Sequence, residues 1–211
     1  MHRSKGSLVR ARHGYGLIAL AAAVATLSGC TGNRSDVDPP SPQPTTTTAE
    51  SSSLNLPQRP KDLAIAGKQD ADICTWLTSE QKKALKVGSG RPVIKDGNNY
   101  NGCDFAGEDG PALYGIAFRV VPEGIEDFLK KVVDPSAETA ATYDIQGFGA
   151  VQGQIPGAES LGCAVYVDAA EGQTLYVDMA LDAPGTMNNQ QMCEKAKQAA
   201  DAAVTTLQSQ S

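Results

Sequence analysis

The chain has 211 residues, with 18 Lys and Arg against 24 Asp and Glu and a net charge of −6. This acidic balance argues against a nucleic-acid partner, because neutralising phosphates calls for a basic patch. Both histidines, His2 and His13, lie at the N-terminus, so from residue 14 onward Ser-His-Asp and Cys-His catalysis, His-ligated zinc and a histidine pH switch are excluded. Carboxylate, lysine and tyrosine chemistry stay open.

The first segment has the three parts of an export signal. Arg3, Lys5, Arg10 and Arg12 form a positive head with no acidic residue beside them, and the eleven residues Leu17 to Leu27 are apolar except Thr26. A spanning helix needs about 20 apolar residues, so this run fits a cleaved segment better than a membrane span. The small residues Ser28 and Gly29 then lead into Cys30. Leu27-Ser28-Gly29-Cys30 resembles a bacterial lipobox. The resemblance implies cleavage before Cys30 and a diacylglyceryl group on its thiol, anchoring the chain to the outer face of the cell membrane. Two acyl chains hold durably where one holds only marginally. Cleavage at that point removes four basic residues and no acidic one, leaving 14 Lys and Arg against 24 Asp and Glu, a net charge of −10.

Residues 30–60 read as the lipidated cysteine and a linker. Six of the twelve prolines fall there (Pro39, Pro40, Pro42, Pro44, Pro57 and Pro60), with Thr45–Thr48 and Ser51–Ser53 between them. Such a composition buries little and predicts disorder. From residue 61 to 211 the composition becomes globular and predicts one domain, long enough to build a real core.

Within it, Asp70 or Asp72 caps a short helix through Cys74, Trp76 and Leu77. Thr78 and Gln81 fit a capping box opening a second helix that Gly88 would end. A strand starts at Cys103–Phe105, turns through Glu108-Asp109-Gly110-Pro111 and returns along Leu113–Val121, with Tyr114, Ile116, Phe118 and Val120 on one face. Ile125, Phe128, Leu129 and Val132 recur at helical spacing. Ile145–Val151 reads as one bent strand in a glycine-rich region. Cys163–Val167 and Leu175–Leu181 form a second hairpin that buries Val165, Val167, Val177 and Met179. A last helix runs from about Asn189 to Leu207, capped by Asn188 or Asn189, with Met192, Ala196, Ala199, Ala203 and Leu207 inward. The expected class is α+β: an antiparallel sheet of two hairpins packed against helices on one face, a two-layer sandwich stapled by two disulfides. The equal spans Cys103–Val121 and Cys163–Leu181 hint at internal duplication.

Apart from Cys30, four cysteines remain, and an even number in an exported domain reads as a disulfide framework. Of three possible pairings, Cys74–Cys103 and Cys163–Cys193 close similar loops within one local unit and are the expected ones. A Cys₄ zinc site normally shows CxxC knuckles, and the sequence has none, so no metal and no cofactor are expected. The layout also resembles a domain-of-unknown-function family of actinobacterial envelope lipoproteins. The residues that carry the likeness are Leu27–Cys30, the linker, Asp72–Thr78, Gly102–Phe105 and Cys163–Val167. It implies an α+β domain outside the membrane and brings no activity or catalytic residue with it.

Three motifs come near to known chemistry. Ser79-Glu80-Gln81-Lys82 matches the SxxK spacing of penicillin-recognising enzymes without their other elements, and reads as a helix start. Gly147-Phe148-Gly149 with Gly153 misses GxGxxG by one position. Asp104, Glu108 and Asp109 lack EF-hand spacing. The candidate binding face is Tyr166, Tyr176 and Asp178, on the outer side of the second hairpin. The expected function is a non-enzymatic envelope domain whose partner is an envelope protein or the cell wall. The alternative is a lipoprotein holding a lipid or small ligand between sheet and helices, and an envelope hydrolase comes third.

Overall fold

The computed structural model describes residues 54–93, 100–132, 141–154 and 159–210. The export segment, Cys30 and most of the linker lie outside the described residues. Seven strands form one sheet: β1 (Val87–Pro92), β2 (Asn101–Asp109), β3 (Ala112–Val121), β4 (Ala141–Ile145), β5 (Phe148–Gly153), β6 (Gly162–Ala170) and β7 (Gln173–Leu181). Their spatial order is β1-β2-β3-β7-β6-β5-β4, and every neighbouring pair is antiparallel. Four helices accompany it: α1 (Asp70–Ile73), α2 (Ser79–Leu85), α3 (Ile125–Val132) and α4 (Asn189–Ser209). The α+β antiparallel class and both cysteine pairs, Cys74–Cys103 and Cys163–Cys193, are as expected.

The two predicted hairpins, β2–β3 and β6–β7, meet at β3–β7 in the middle of the sheet. They are related by a local two-fold. One row across the four strands reads Cys103, Phe118, Val177, Val165, and the next reads Phe105, Ile116, Met179, Cys163. Each cysteine thus sits at the outer strand of its own row. The helices break the relation, since Cys74 precedes its hairpin and Cys193 follows its own.

Alternation sends the residues of those rows to the inner face, where α1, α2 and α4 cover them. The alanines at 196, 199, 200 and 203 let α4 lie close on the sheet, and all four are fully buried with Met192, Val204 and Leu207. Two capping boxes start the longer helices of this layer. Thr78 accepts from the Gln81 amide while Gln81 accepts from the Thr78 amide, and Asn188 and Gln191 do the same for α4. Trp76 packs fully buried in this core with Cys74 at its margin.

Four differences from expectation have clear physical reasons. α2 ends at Lys86, left-handed at φ +57°, two residues before Gly88, and the chain enters β1 directly. The single strand expected over 145–151 is a hairpin, β4–β5, turned at Gln146 and Gly147 with φ of +53° and +90°. α3 does not join the other helices: it covers the opposite face, packing on Val151, Ala164 and Tyr166. Finally, residues 54–60, expected in the linker, lie against the domain. Leu54 and Leu56 pack with the α3 cluster, and Arg59 pairs with Asp168.

Both disulfides join a helical segment to a strand. A loop of about 30 residues is worth roughly 3–4 kcal/mol on the chain-entropy model. Cys163→Ser with Cys193→Ser is therefore expected to lower stability by about that much, read from the urea midpoint at constant m. Thiol titration of the denatured, unreduced domain is expected to find none of the four cysteines reactive.

Candidate functional site

The outer face of the sheet is set by the same alternation. One row across it reads Gly102, Arg119, Tyr176, Tyr166, Val151, and the next reads Asp104, Ala117, Asp178, Ala164, Gly153. Tyr166, Tyr176 and Asp178 therefore share this face as expected, but they do not share one environment.

The two tyrosines face each other across β6–β7 and stack, with ring centroids 5.3 Å apart and planes 10° from parallel. Phe128 of α3 stands on both, 5.8 Å from Tyr166 and 6.2 Å from Tyr176, and Tyr100 meets Phe128 edge-on at 6.0 Å. Tyr166 is only 4% exposed. Burial pushes its hydroxyl up to about 12 and raises that of Tyr176 as well, each with Asp178 adding to the shift. These rings form the floor of a second, small core under α3 rather than an open ligand platform.

Asp178 lies beyond the edge of that cover, between Ala117 and Ala164 on the neighbouring strands. Its Oδ1 is buried and has no hydrogen-bond partner. Burial raises the carboxyl to about 6, with Arg119 pulling it down and Asp104 pushing it up. Arg119 itself is held flat. It donates from Nη1 to the Phe118 and Cys103 carbonyls at 2.9 and 3.4 Å, and from Nη2 to Asp104 at 2.6 Å. That posture requires glycine at 102, where a Cβ would stand 2.3 Å from the Phe118 oxygen and 2.6 Å from Arg119 Cδ.

On the β1 side of Arg119 the face opens into a groove of about 540 Å³, lined by Arg91, Asp104, Ala106, Leu113, Gly115 and Arg119 among others. Its floor is small residues and its flanks carry both charges. Leu113, 52% exposed, is the exposed large apolar residue of the described chain. The groove can hold an extended or ring-shaped ligand against a nearly bare sheet, with guanidinium and carboxylate groups at its sides. Between the sheet and α4, by contrast, fully buried side chains occupy the space: Ile116, Phe118, Val165, Val177, Met179, Met192 and the four alanines. A ligand held between sheet and helices finds no support there.

The other motifs fall in structural places. Ser79 is exposed in the first turn of α2, and Lys82 lies over the Phe105 ring at 5.8 Å. Gly147 is in the β4–β5 turn and Gly153 ends β5. Asp109 pairs with Lys86 and Lys195. Among the described residues no group of three or more acidic, Cys or His side chains could hold a metal ion, and no helix is long and apolar enough to cross a membrane. Sequence reasoning missed Arg119 and Phe128 as the residues that shape this face. The available signal was the outward set Gly115, Ala117, Arg119 on β3, two small residues followed by one long cation.

Geometry alone defines a disulfide-stapled antiparallel domain with three helices on one face and one on the other. The chain belongs to the family described as "Protein of unknown function (DUF3558)", whose model matches residues 25–206. No curated protein and no solved structure matches it.

Asp178 gives this face a pH signature. Between about pH 4 and 6 the folded state holds a proton that the unfolded state has lost, so stability falls as pH rises through that window and the full cost is present above it. Asp178→Asn removes the cost. Expected is a gain of at most about 2–3 kcal/mol at pH 7 and none near pH 4, measured by urea melts at both pH values.

Proposed function

We propose that this chain is an extracytoplasmic lipoprotein of an actinobacterial envelope, held to the membrane by lipid on Cys30, and that its domain works by binding rather than by catalysis. The observation that carries this reading is the use of cysteine. Cys74, Cys103, Cys163 and Cys193 are all consumed in disulfides, so Cys30, behind Leu27-Ser28-Gly29, stands outside the disulfide framework in the position a lipidated residue takes. Stable disulfides also fit an oxidising compartment. The loss of both histidines with the export segment leaves few routes to general acid–base or metal-assisted chemistry.

The surface assigned to the partner is the groove beside Arg119, with Arg91, Asp104 and Asp182 in its lining and Asp178 on the next strand beyond it. An envelope protein or cell-wall polymer is the class that suits it: an open, mixed-charge trough accepts an extended chain better than it encloses a small solute. The original triad narrows accordingly, with Asp178 kept on the face and Tyr166 and Tyr176 supporting it from beneath α3.

Cys30→Ala is expected to move the protein from the membrane to the soluble fraction and to remove the acyl mass from its N-terminal peptide. Unchanged membrane retention would sink the anchor. For the binding role, photo-crosslinking from the groove in the native envelope should capture a partner, and Arg119→Ala should abolish the capture in a domain that still melts cooperatively, at a midpoint lowered by the lost Arg119 hydrogen bonds. Hydrolysis of an envelope ester, peptide or glycan by the purified protein, lost on Asp178→Asn, would overturn the non-catalytic reading.

A further inference from the structure

Residues 54–60 come from a stretch whose composition predicts no structure, yet they are fitted to the outer face in detail. Leu54 and Leu56 flank Asn55, left-handed at φ +48°, and both pack with the cluster of Val121, Ile125, Phe128, Leu129 and Val151. Beneath Leu56 the sheet carries Gly149, where a Cβ would stand 2.7 Å from Leu56 Cβ and 3.1 Å from Pro57 Cδ. Pro60 rests against the turn at Gly147, whose φ is +90°. Arg59 reaches three carboxylates: Asp168 at 2.5 Å, Glu171 at 3.0 Å and Asp62 at 3.1 Å. Its pairing with Asp168 is largely shielded, the two side chains being 20% and 17% exposed.

The backbone contributes little to this attachment. Among the described residues, the first backbone hydrogen bond from this stretch to the sheet is made at Leu63, to the Ala169 carbonyl. Among the described residues side-chain contacts dominate the hold on residues 54–60, which places the segment toward the low end of local stability. An open groove of about 550 Å³ runs along the segment, bounded on its other side by Gly124, Ile125 and Glu126 at the start of α3.

We propose that this part of the outer face is a peptide-docking groove for a Leu-x-Leu-Pro-x-Arg segment turned at its second residue, and that residues 54–60 occupy it in cis as a detachable strap. Leucine seats lie over Gly149 and against α3, and the arginine seat is the carboxylate set Asp168, Glu171 and Asp62. Covalent connection supplies the strap at a high effective concentration, on the order of millimolar for a short flexible link, so it excludes a free competitor until it is released. This reading does not depend on the lipid anchor and concerns a different region from the Arg119 groove.

The test uses the full, disulfide-intact chain. The double variant Leu56→Ser, Arg59→Glu removes the strap and keeps the groove. Gly149→Val evicts the strap and fills its seat, at a strand position where valine is favoured. Methyl NMR is expected to show the remaining strap leucines, Leu54 in both variants and Leu56 in Gly149→Val, at random-coil positions, with the Val165 and Val177 signals unchanged. A labelled synthetic peptide of residues 53–60 is then expected to bind the double variant at least tenfold more tightly than the parent chain, and not to bind Gly149→Val. A peptide carrying Glu in place of Arg59 should bind at least tenfold more weakly. Failure of the peptide to bind the released double variant overturns the proposal. So does loss of the Val165 and Val177 dispersion in both variants, which would make the strap an integral part of the core. Exchange of straps between copies, seen as dimers, would overturn occupancy in cis.

Discussion

The pairing of β3 with β7 is the constraint on which the rest of the structure depends. It joins two hairpins about sixty residues apart in sequence, in an unbroken register from Tyr114 opposite Leu181 to Val121 opposite Thr174. Everything to either side is local: β2 precedes β3 through a tight turn, β6 precedes β7 through another, and each disulfide ties a helical segment to the strand of its own half. Neither disulfide crosses the junction. Its register is therefore held by side-chain packing, and a slip of one residue would send either Ile116 and Phe118 or Val177 and Met179 to the outer face in one step. The large inner residues facing α4 and the small outer ones make that alternative very costly.

The outer face follows from the same register. Because Gly115, Ala117, Ala164 and Ala180 must point outward once their neighbours point in, most of that face has nothing to pack with. α3 meets part of this need, setting Phe128 on the two stacked tyrosines. The strap meets another part over Gly149. What remains is the region around Arg119 and Asp178, where two charged side chains stand on a floor too small to cover them. Arg119 is satisfied by carbonyls and Asp104; Asp178 keeps one oxygen without a partner. The most polar buried position of the face thus lies where its two covers end, a position a partner's donor would relieve.

Much of this was legible in the residues. The inner stripe of α4 and the alternation of β3, β6 and β7 have strong periods, and burial follows them closely. The capping box at Thr78 combines a side-chain acceptor with an amide three residues on, a signal that needs no tertiary context, and Asn188 was one of two candidate caps for α4. β1 was not legible because Val87-Gly88-Ser89-Gly90-Arg91-Pro92 has no alternation; it is a strand only because β2 lies beside it. The β4–β5 turn was missed because Gln146, not the usual Asn or Asp, takes the left-handed position before Gly147. The side on which α3 packs depends on the length and path of its connections, which amphipathicity does not encode. Tyr166 and Tyr176 were placed on the correct face, but their burial came from Phe128, a residue whose helical period was clear and whose destination was not.

The strap shows why proline content is a poor guide to attachment. Proline lowers the entropy of the free chain by fixing φ, so a segment already extended by Pro57 and Pro60 loses less on docking than a flexible one. Two leucines and one arginine can then hold seven residues where a Gly/Ser segment of the same length would need far more contact. The composition that predicts a spacer is, for the same physical reason, suited to a short docking motif. What separates the two is the receiving surface, here a glycine under Leu56 and three carboxylates around Arg59.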